Sequence, residues 1–334
     1  MPVRKPENPL FFELNTPVKV TTMGHIIETQ MMQKKNFGSV IQNIDKDHYL
    51  DLRTGELKEK QHIEHRGEDA YSMRKTLKRI RELVNTNVTD PSKCLWSTFT
   101  YAQEDKNPMR DLKRLYGDYK RFWTRFKRYC SRMNYTEPDY LAVAEPQGSG
   151  SWHLHVFFIW NEKAPFIPND ADTLKRMKFV PDGTKTMAEL WEQGFTSTKA
   201  LNDCDNIGAY FSAYLGDMPL DEVQALPAEQ RSACVSCASV VETKKFIDER
   251  GTVKEKQFLK GGRLFLYPPG MNIVRKSKGI KDPVVEMMSQ MNAQKKVSAA
   301  TETFSCEFEI LDDDGVVINA ISKRYYNTKR EKKQ

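Results

Sequence analysis

The stretch Trp152-His153-Leu154-His155-Val156-Phe157-Phe158-Ile159-Trp160 constrains this chain more than any other. It reads as a strand, in which residues i and i+2 share a face, so His153 and His155 point the same way and Leu154 points to the other side. Two imidazoles side by side make a poor core, because burying a polar group without a partner is unfavourable. Held on a rigid strand, the same pair is half of a metal site, since neutral imidazole ligates several ions. The alternative, two unrelated histidines at a strand end, leaves neither with an easy partner in so apolar a run.

Upstream, Tyr140-Leu141-Ala142-Val143-Ala144-Glu145 reads as a short strand ending in a carboxylate, and Pro146-Gln147-Gly148-Ser149-Gly150-Ser151 as a tight turn. The two strands are therefore expected to form a hairpin, which can bring Glu145 back beside His153 and His155. Before them, Leu95 to Tyr101 is an aromatic and β-branched strand. Its Thr98 and Thr100 share a face, either touching a cleft or as ordinary strand threonines. A helix is expected over 109–133, where Leu112, Leu115, Tyr119, Phe122, Phe126 and Tyr129 recur at helical spacing as a core stripe. After an irregular insertion at 161–185, a short helix at about 186–193 leads into the strand Phe195-Thr196-Ser197-Thr198. The order β, α, β, β, α, β is the split-βαβ pattern. It predicts an α+β fold: an antiparallel, ferredoxin- or RRM-like sheet with helices on one face, plus helical insertions and a C-terminal appendage.

A further helix, Asn206-Ile207-Gly208-Ala209-Tyr210-Phe211-Ser212-Ala213-Tyr214-Leu215-Gly216-Asp217, starts at a capping Asp205 or Asn206. Tyr210 and Tyr214 are four apart and share a face, while Ile207, Phe211 and Leu215 face the core. Taken alone, such a pair is most often packing. The helix at about 71–86 sets Met73, Leu77, Ile80 and Val84 against Arg74, Lys75, Lys78, Arg79 and Arg81, a solvated face or a phosphate-contacting one. The 109–133 helix carries Lys113, Arg114, Lys120, Arg121 and Arg125, countered within it by Asp111 and Asp118, and could track a DNA backbone. Arg263 to Gly270 reads as a strand and turn, and the basic segment with Arg275 and Lys276 is expected near DNA. In the flanks, Phe11 to Leu14 and Val18 to Val20 read as short strands, and Thr54-Gly55 as the turn of a hairpin. A helix follows Pro283, and a hairpin joins Phe304–Ile310 to Val316–Ile321. The expected divisions are 1–68 (arm and covering strands), 69–280 (core) and 281–334 (helix, hairpin and basic tail).

His-hydrophobic-His on a strand, followed by a helix with a tyrosine pair, resembles the HUH endonuclease superfamily. More narrowly it resembles the rolling-circle replication initiators (Rep proteins) of bacterial plasmids and phages, over roughly residues 50–280. The resemblance implies that His153, His155 and Glu145 hold Mg²⁺ or Mn²⁺, with Gln147 as a substitute third ligand. It implies that Tyr210 and Tyr214 are the nucleophiles of a site- and strand-specific DNA nickase and strand ligase. The implied partners are single-stranded or hairpin origin DNA, a host helicase and a DNA polymerase, in the bacterial cytoplasm. Many family members carry Lys three residues after the first Tyr; here that position is Ala213, so no lysine-assisted step is carried over.

The 334 residues carry 52 Lys+Arg against 45 Asp+Glu, net +7, a moderate excess that suits a polyanionic partner. No GxxxxGK[ST] occurs, so the chain brings no P-loop helicase of its own. It has no run of 18 apolar residues and no signal-peptide core at its start, so no membrane partner is expected. Six scattered cysteines suit a reducing compartment, and the lone Cys234-Val235-Ser236-Cys237 lacks a second pair at zinc spacing. His62 and His65 are the remote candidates to complete a zinc site there. A mobilisation relaxase or single-strand transposase shares the nicking chemistry. A non-catalytic RRM-like nucleic-acid binder shares the sheet, and a metal hydrolase would use water instead of tyrosine.

Overall fold

The computed structural model describes residues 3–34, 41–52, 54–60, 70–102, 109–201, 205–238, 240–247, 253–268, 271–312 and 314–330. His62 and His65 lie outside them. The chain forms two compact units, His65–Asp282 and a second made of Met1–Glu64 with Pro283–Gln334.

The unit His65–Asp282 is built on a five-stranded sheet. In spatial order its strands are Thr196–Ala200, Cys94–Thr100, Trp152–Ile159, Asp139–Pro146 and Val274–Lys276. Every pairing is antiparallel. The helix Leu112–Arg132 carries the chain from Cys94–Thr100 to Asp139–Pro146, and the histidine strand Trp152–Ile159 inserts between those two. This is the split-βαβ arrangement expected of the α+β core. The long helix begins three residues later than the spacing suggested. The Asp111 carboxylate accepts from Lys113 N at 2.8 Å and Arg114 N at 3.2 Å and so fixes its start.

Helices cover both faces of this sheet, not one. On one side Phe99 and Phe158 pack against Phe122 of the long helix, with Trp191 of the short helix Met187–Trp191 beside them. On the other, Trp96, His155 and Phe157 meet Phe211 of the tyrosine helix Ile207–Gly216. That helix in turn packs on Ala70–Asn87. The reason is visible in Val156-Phe157-Phe158-Ile159: a strand without polar alternation needs apolar cover on both sides.

Arg263 to Tyr267, expected to extend as a strand, instead holds a 3-10 turn, Leu264–Leu266, with Leu264 and Phe265 buried. Between the tyrosine helix and this turn, the helices Leu220–Ala225 and Ala228–Cys237 accompany a hairpin, Val241–Ile247 with Val253–Leu259.

In the second unit, both flanks of the chain share one antiparallel six-stranded sheet. Its order is Val3–Arg4, Thr301–Leu311, Val317–Asn327, Ile26–Met32, Val18–Met23, Val284–Met288. The helix Gln290–Val297 places Ala293 against Val18, Val20 and Ile27. Phe11 to Leu14 form no strand, and Phe11 and Leu14 are exposed. The turn at Thr54-Gly55 joins His48–Asp51 to Leu57–Glu59, with Ile41–Asn43 as a third strand.

Candidate metal centre and tyrosine helix

The hairpin register puts Glu145 directly opposite His153, and the neighbouring strand puts Thr98 opposite His155. Cross-strand partners share a face, so the carboxylate, both imidazoles and the threonine converge by pairing alone. One ligand atom from each of Glu145, His153 and His155 lies within 4.8 Å of the others. His155 Nε2 is 2.5 Å from Glu145 Oε2, and its Nδ1 is 3.0 Å from Thr98 Oγ1. A hydroxyl can donate or accept. Thr98 can therefore support His155 with Nε2 as an N–H toward Glu145, or with Nε2 as a lone pair toward an ion. Thr98 is thus more than a strand residue.

His153 supplies the test of fit. Its Nε2 is buried and makes no hydrogen bond, an orphan that a cation would satisfy. Burial, opposed by Glu145 but aided by His155 and Arg263, pushes the His153 pKa down to about 4, so the ring is neutral and ready to ligate at pH 7. Burial alone would raise the Glu145 pKa. The hydrogen bond and charge of His155, with Arg263, outweigh it and hold the carboxyl below its ordinary value. Two imidazoles and one carboxylate suit a divalent ion and leave positions open for substrate.

The tyrosine helix is seated through its first turn. Asn206 caps it by accepting from Ala209 N, and buried Asn85 accepts from Gly208 N at 2.9 Å while donating to Asn206 Oδ1 at 3.1 Å. Phe211 is fully buried against Trp96, His155 and Phe157. This sets Tyr214 edge-on to His155, with ring centroids 5.3 Å apart. Tyr210, one turn earlier and 61% exposed, stands edge-on to Trp96 at 6.0 Å. Trp96 also meets Tyr214 at 6.5 Å, so one indole underlies both phenols. Although 42% of Tyr214 is exposed, the crowding around it, followed by the negative charge of Glu145, pushes its pKa up to about 12.

Glu145, His153 and Tyr214 line a single cleft of about 570 Å³, together with Gln147, Arg110 and Arg263. Tyr210 does not line it. Among the described residues, none of Lys113, Arg114, Lys120, Arg121, Arg125, Arg275 and Lys276 lines it either. The first five belong to the helix on the opposite face of the sheet. Arg114 and Arg121 pair with buried Asp118, and Arg125 donates to the carbonyls of Leu190 and Trp191 and pairs with Glu192. Arg275 lies over the Tyr116 ring at 4.3 Å, and Lys276 pairs with Asp282 at 3.0 Å. The cations that do face the cleft, Arg110 and Arg263, carry no pattern that marks them in the sequence. Trp96 could have been found by its period-2 relation to Thr98. Cys234 sits buried against Met218, and among the described residues the Cys234–Cys237 pair joins no metal cluster.

No curated protein and no solved structure matches the chain. A family model does, over the stretch that runs from the strand of Trp96 and Thr98, through the histidine strand, to the end of the tyrosine helix. Residues 94–218, which carry both motifs of the resemblance to replication initiator (Rep) proteins, match the family Replication-associated protein ORF2/G2P.

Proposed function

We propose that the chain initiates rolling-circle replication by nicking and rejoining one DNA strand at an origin. The observation that carries this reading is that Tyr214 shares one cleft with Glu145 and His153 and meets His155, the third member of their triad, edge-on. His153, His155 and Glu145 would hold Mg²⁺ or Mn²⁺. Bound there, the ion would polarise the scissile phosphate and stabilise charge developing on its oxygens.

The chain's own residues do the rest. Tyr214 Oη attacks phosphorus; the O–P bond forms as the phenolic proton is lost, and the bond from phosphorus to the 3′ oxygen breaks. That oxygen takes up a proton and leaves as a 3′-OH primer, while the 5′ phosphate stays on the tyrosine. Keeping the phosphodiester energy in a covalent link lets strands be rejoined without ATP. Tyr210, one helical turn away and more open, attacks the regenerated junction after a host polymerase and helicase have copied and displaced the strand. Arg110, on the cleft wall, orients the backbone phosphates. The substrate is single-stranded or extruded, since the cleft must admit a bare phosphodiester.

The test is to mix the chain with Mn²⁺ and single-stranded oligonucleotides tiling its own encoding DNA, then denature. A protein–DNA complex that survives denaturation, with a free 3′-OH on the released fragment, is the expected result. Cleavage without a covalent complex would instead mean that water is the nucleophile. Binding without cleavage would mean a nucleic-acid-binding module.

A further inference from the structure

Arg263 lies outside the matched segment 94–218, yet its guanidinium is embedded in the site. It is 6% exposed. Its Nη1 donates to Pro146 O at 3.1 Å and its Nε to Asp217 O at 3.3 Å. Held by two backbone carbonyls, it has no freedom to swing away. Its Nε is also 3.3 Å from Glu145 Oε1, and its Nη2 is 3.3 Å from Glu222 Oε2. The Glu145 carboxylate is thus shared, one oxygen toward His155 and the other toward a fixed cation.

The charge balance follows. An imidazole that ligates an ion does so through a lone pair, as a neutral ring, so Glu145 supplies the only negative charge that the triad brings to a cation, and Arg263 offsets it from 3.3 Å. Glu222 compensates weakly, because its side chain is 43% exposed and screened by water. Hard divalent ions favour several anionic oxygens. This site offers one, already engaged. A phosphodiester entering the cleft brings a second anionic oxygen and finds two guanidiniums, Arg110 and Arg263, on the cleft wall.

We infer that Arg263 makes ion uptake conditional on DNA: it neutralises Glu145, so that the triad binds a divalent cation strongly only together with a phosphodiester. Arg263 acts through Glu145 and is a positioning residue. Because coupling is reciprocal, the ion tightens DNA binding by the same factor that DNA tightens ion binding. The inference rests on the metal-site reading above and adds an order to it.

The experiment uses the full chain carrying Y210F and Y214F, so that DNA is held uncut. Mn²⁺ affinity is measured from the free-ion paramagnetic resonance signal, with and without single-stranded DNA of mixed sequence. DNA should tighten Mn²⁺ binding roughly tenfold, within the usual range for coupled sites. Adding Arg263→Gln should tighten DNA-free Mn²⁺ binding by about the same factor and remove most of the DNA effect. Arg263→Lys should restore the parent pattern. Should Arg263→Gln fail to fold, Glu222→Gln gives the converse: weaker Mn²⁺ binding alone, recovered when DNA is added. Equal or weaker Mn²⁺ affinity in a folded Arg263→Gln protein overturns the inference, as does a Glu222→Gln loss that DNA does not recover. Mn²⁺ bound equally with and without DNA overturns the coupling but leaves the metal site standing. No Mn²⁺ binding under either condition removes the metal site and the inference with it.

Discussion

Tyr214 meets His155 edge to face, the ring planes at 89° and the centroids 5.3 Å apart, so a nucleophile candidate is held against a ligand candidate by a direct contact. Tyr210 has no such contact; its neighbour is Trp96. The i, i+4 pair is therefore inequivalent, although both phenols rise from the same helix face. Tyr214→Phe is expected to lower formation of the first covalent complex by a factor on the order of 10⁴ or more, as loss of a nucleophile does. Tyr210→Phe should still form that complex and fail in the second transfer. Denaturing gels of end-labelled oligonucleotide, followed by addition of a second acceptor strand, separate the two steps. Equal loss in both variants would contradict the assignment.

Thr98 holds the ring that Tyr214 touches. Replacing its hydroxyl with a methyl, Thr98→Val, leaves shape almost unchanged and removes the 3.0 Å contact to His155 Nδ1. Partners of this kind are worth about 10- to 100-fold in metal affinity. The expected outcome is a Mn²⁺ affinity lowered by that factor with an unchanged unfolding midpoint. An unaltered affinity would mean that His155 is oriented by Glu145 alone.

Why some of this was legible and some not comes down to range. His153 and His155 declare a shared face through a two-residue period, and the short turn after Pro146 is enough to expect Glu145 beside them, though the register that sets it opposite His153 shows only in the structure. The tyrosine helix could be read from its cap and its apolar face. The contact between Tyr214 and His155 could not, because it depends on the helix docking on the face opposite Leu112–Arg132. That docking follows from Gly208 and Asn85, residues remote in sequence. Arg263 is the sharpest case: a single arginine at a 3-10 turn, with no periodicity, gathers Pro146, Asp217, Glu145 and Glu222 from three other elements. Conversely, the basic long helix is conspicuous in sequence. Its charge marks a surface, whereas Arg125 is engaged by the carbonyls at the end of Met187–Trp191.

The half-buried imidazole of His153 makes the metal-free protein acid-sensitive in a defined window. The folded-state pKa of His153, about 4, lies below its ordinary value of 6.5. As pH falls through 6.5 the unfolded chain takes up a proton that the folded chain refuses, so stability present above 6.5 is lost progressively toward 4. Glu145, whose pKa is also held down, acts in a lower window: its contribution is lost as pH falls below its ordinary value of 4.5. Urea unfolding between pH 7 and pH 5 should therefore show a fall in midpoint that His153→Ala reduces. Mn²⁺ binding at pH 7 should release no proton from His153, which calorimetry in buffers of different ionisation enthalpy would detect.

Gly208 sits where the tyrosine helix crosses Ala70–Asn87, and a Cβ there would lie 2.5 Å from the Arg81 carbonyl oxygen and 2.6 Å from Asn85 Oδ1. Neither atom is the free end of a flexible chain: one is backbone, and the other already accepts from Gly208 N. Gly208→Ala must push the first turn outward, and overpacking of this kind costs about 1–3 kcal/mol. The displaced turn carries Tyr210, and the shift propagates to Tyr214, while Glu145, His153 and His155 stay on the sheet. The variant should therefore unfold at lower denaturant, bind Mn²⁺ with nearly unchanged affinity, and form the covalent complex poorly. Asn85→Ala, which removes the bond to Gly208 without adding bulk, should do the same more mildly, at about 1 kcal/mol, the usual worth of a helix cap. A Gly208→Ala protein that binds Mn²⁺ and cuts as the parent does would show that the tyrosines do not depend on this crossing for their position.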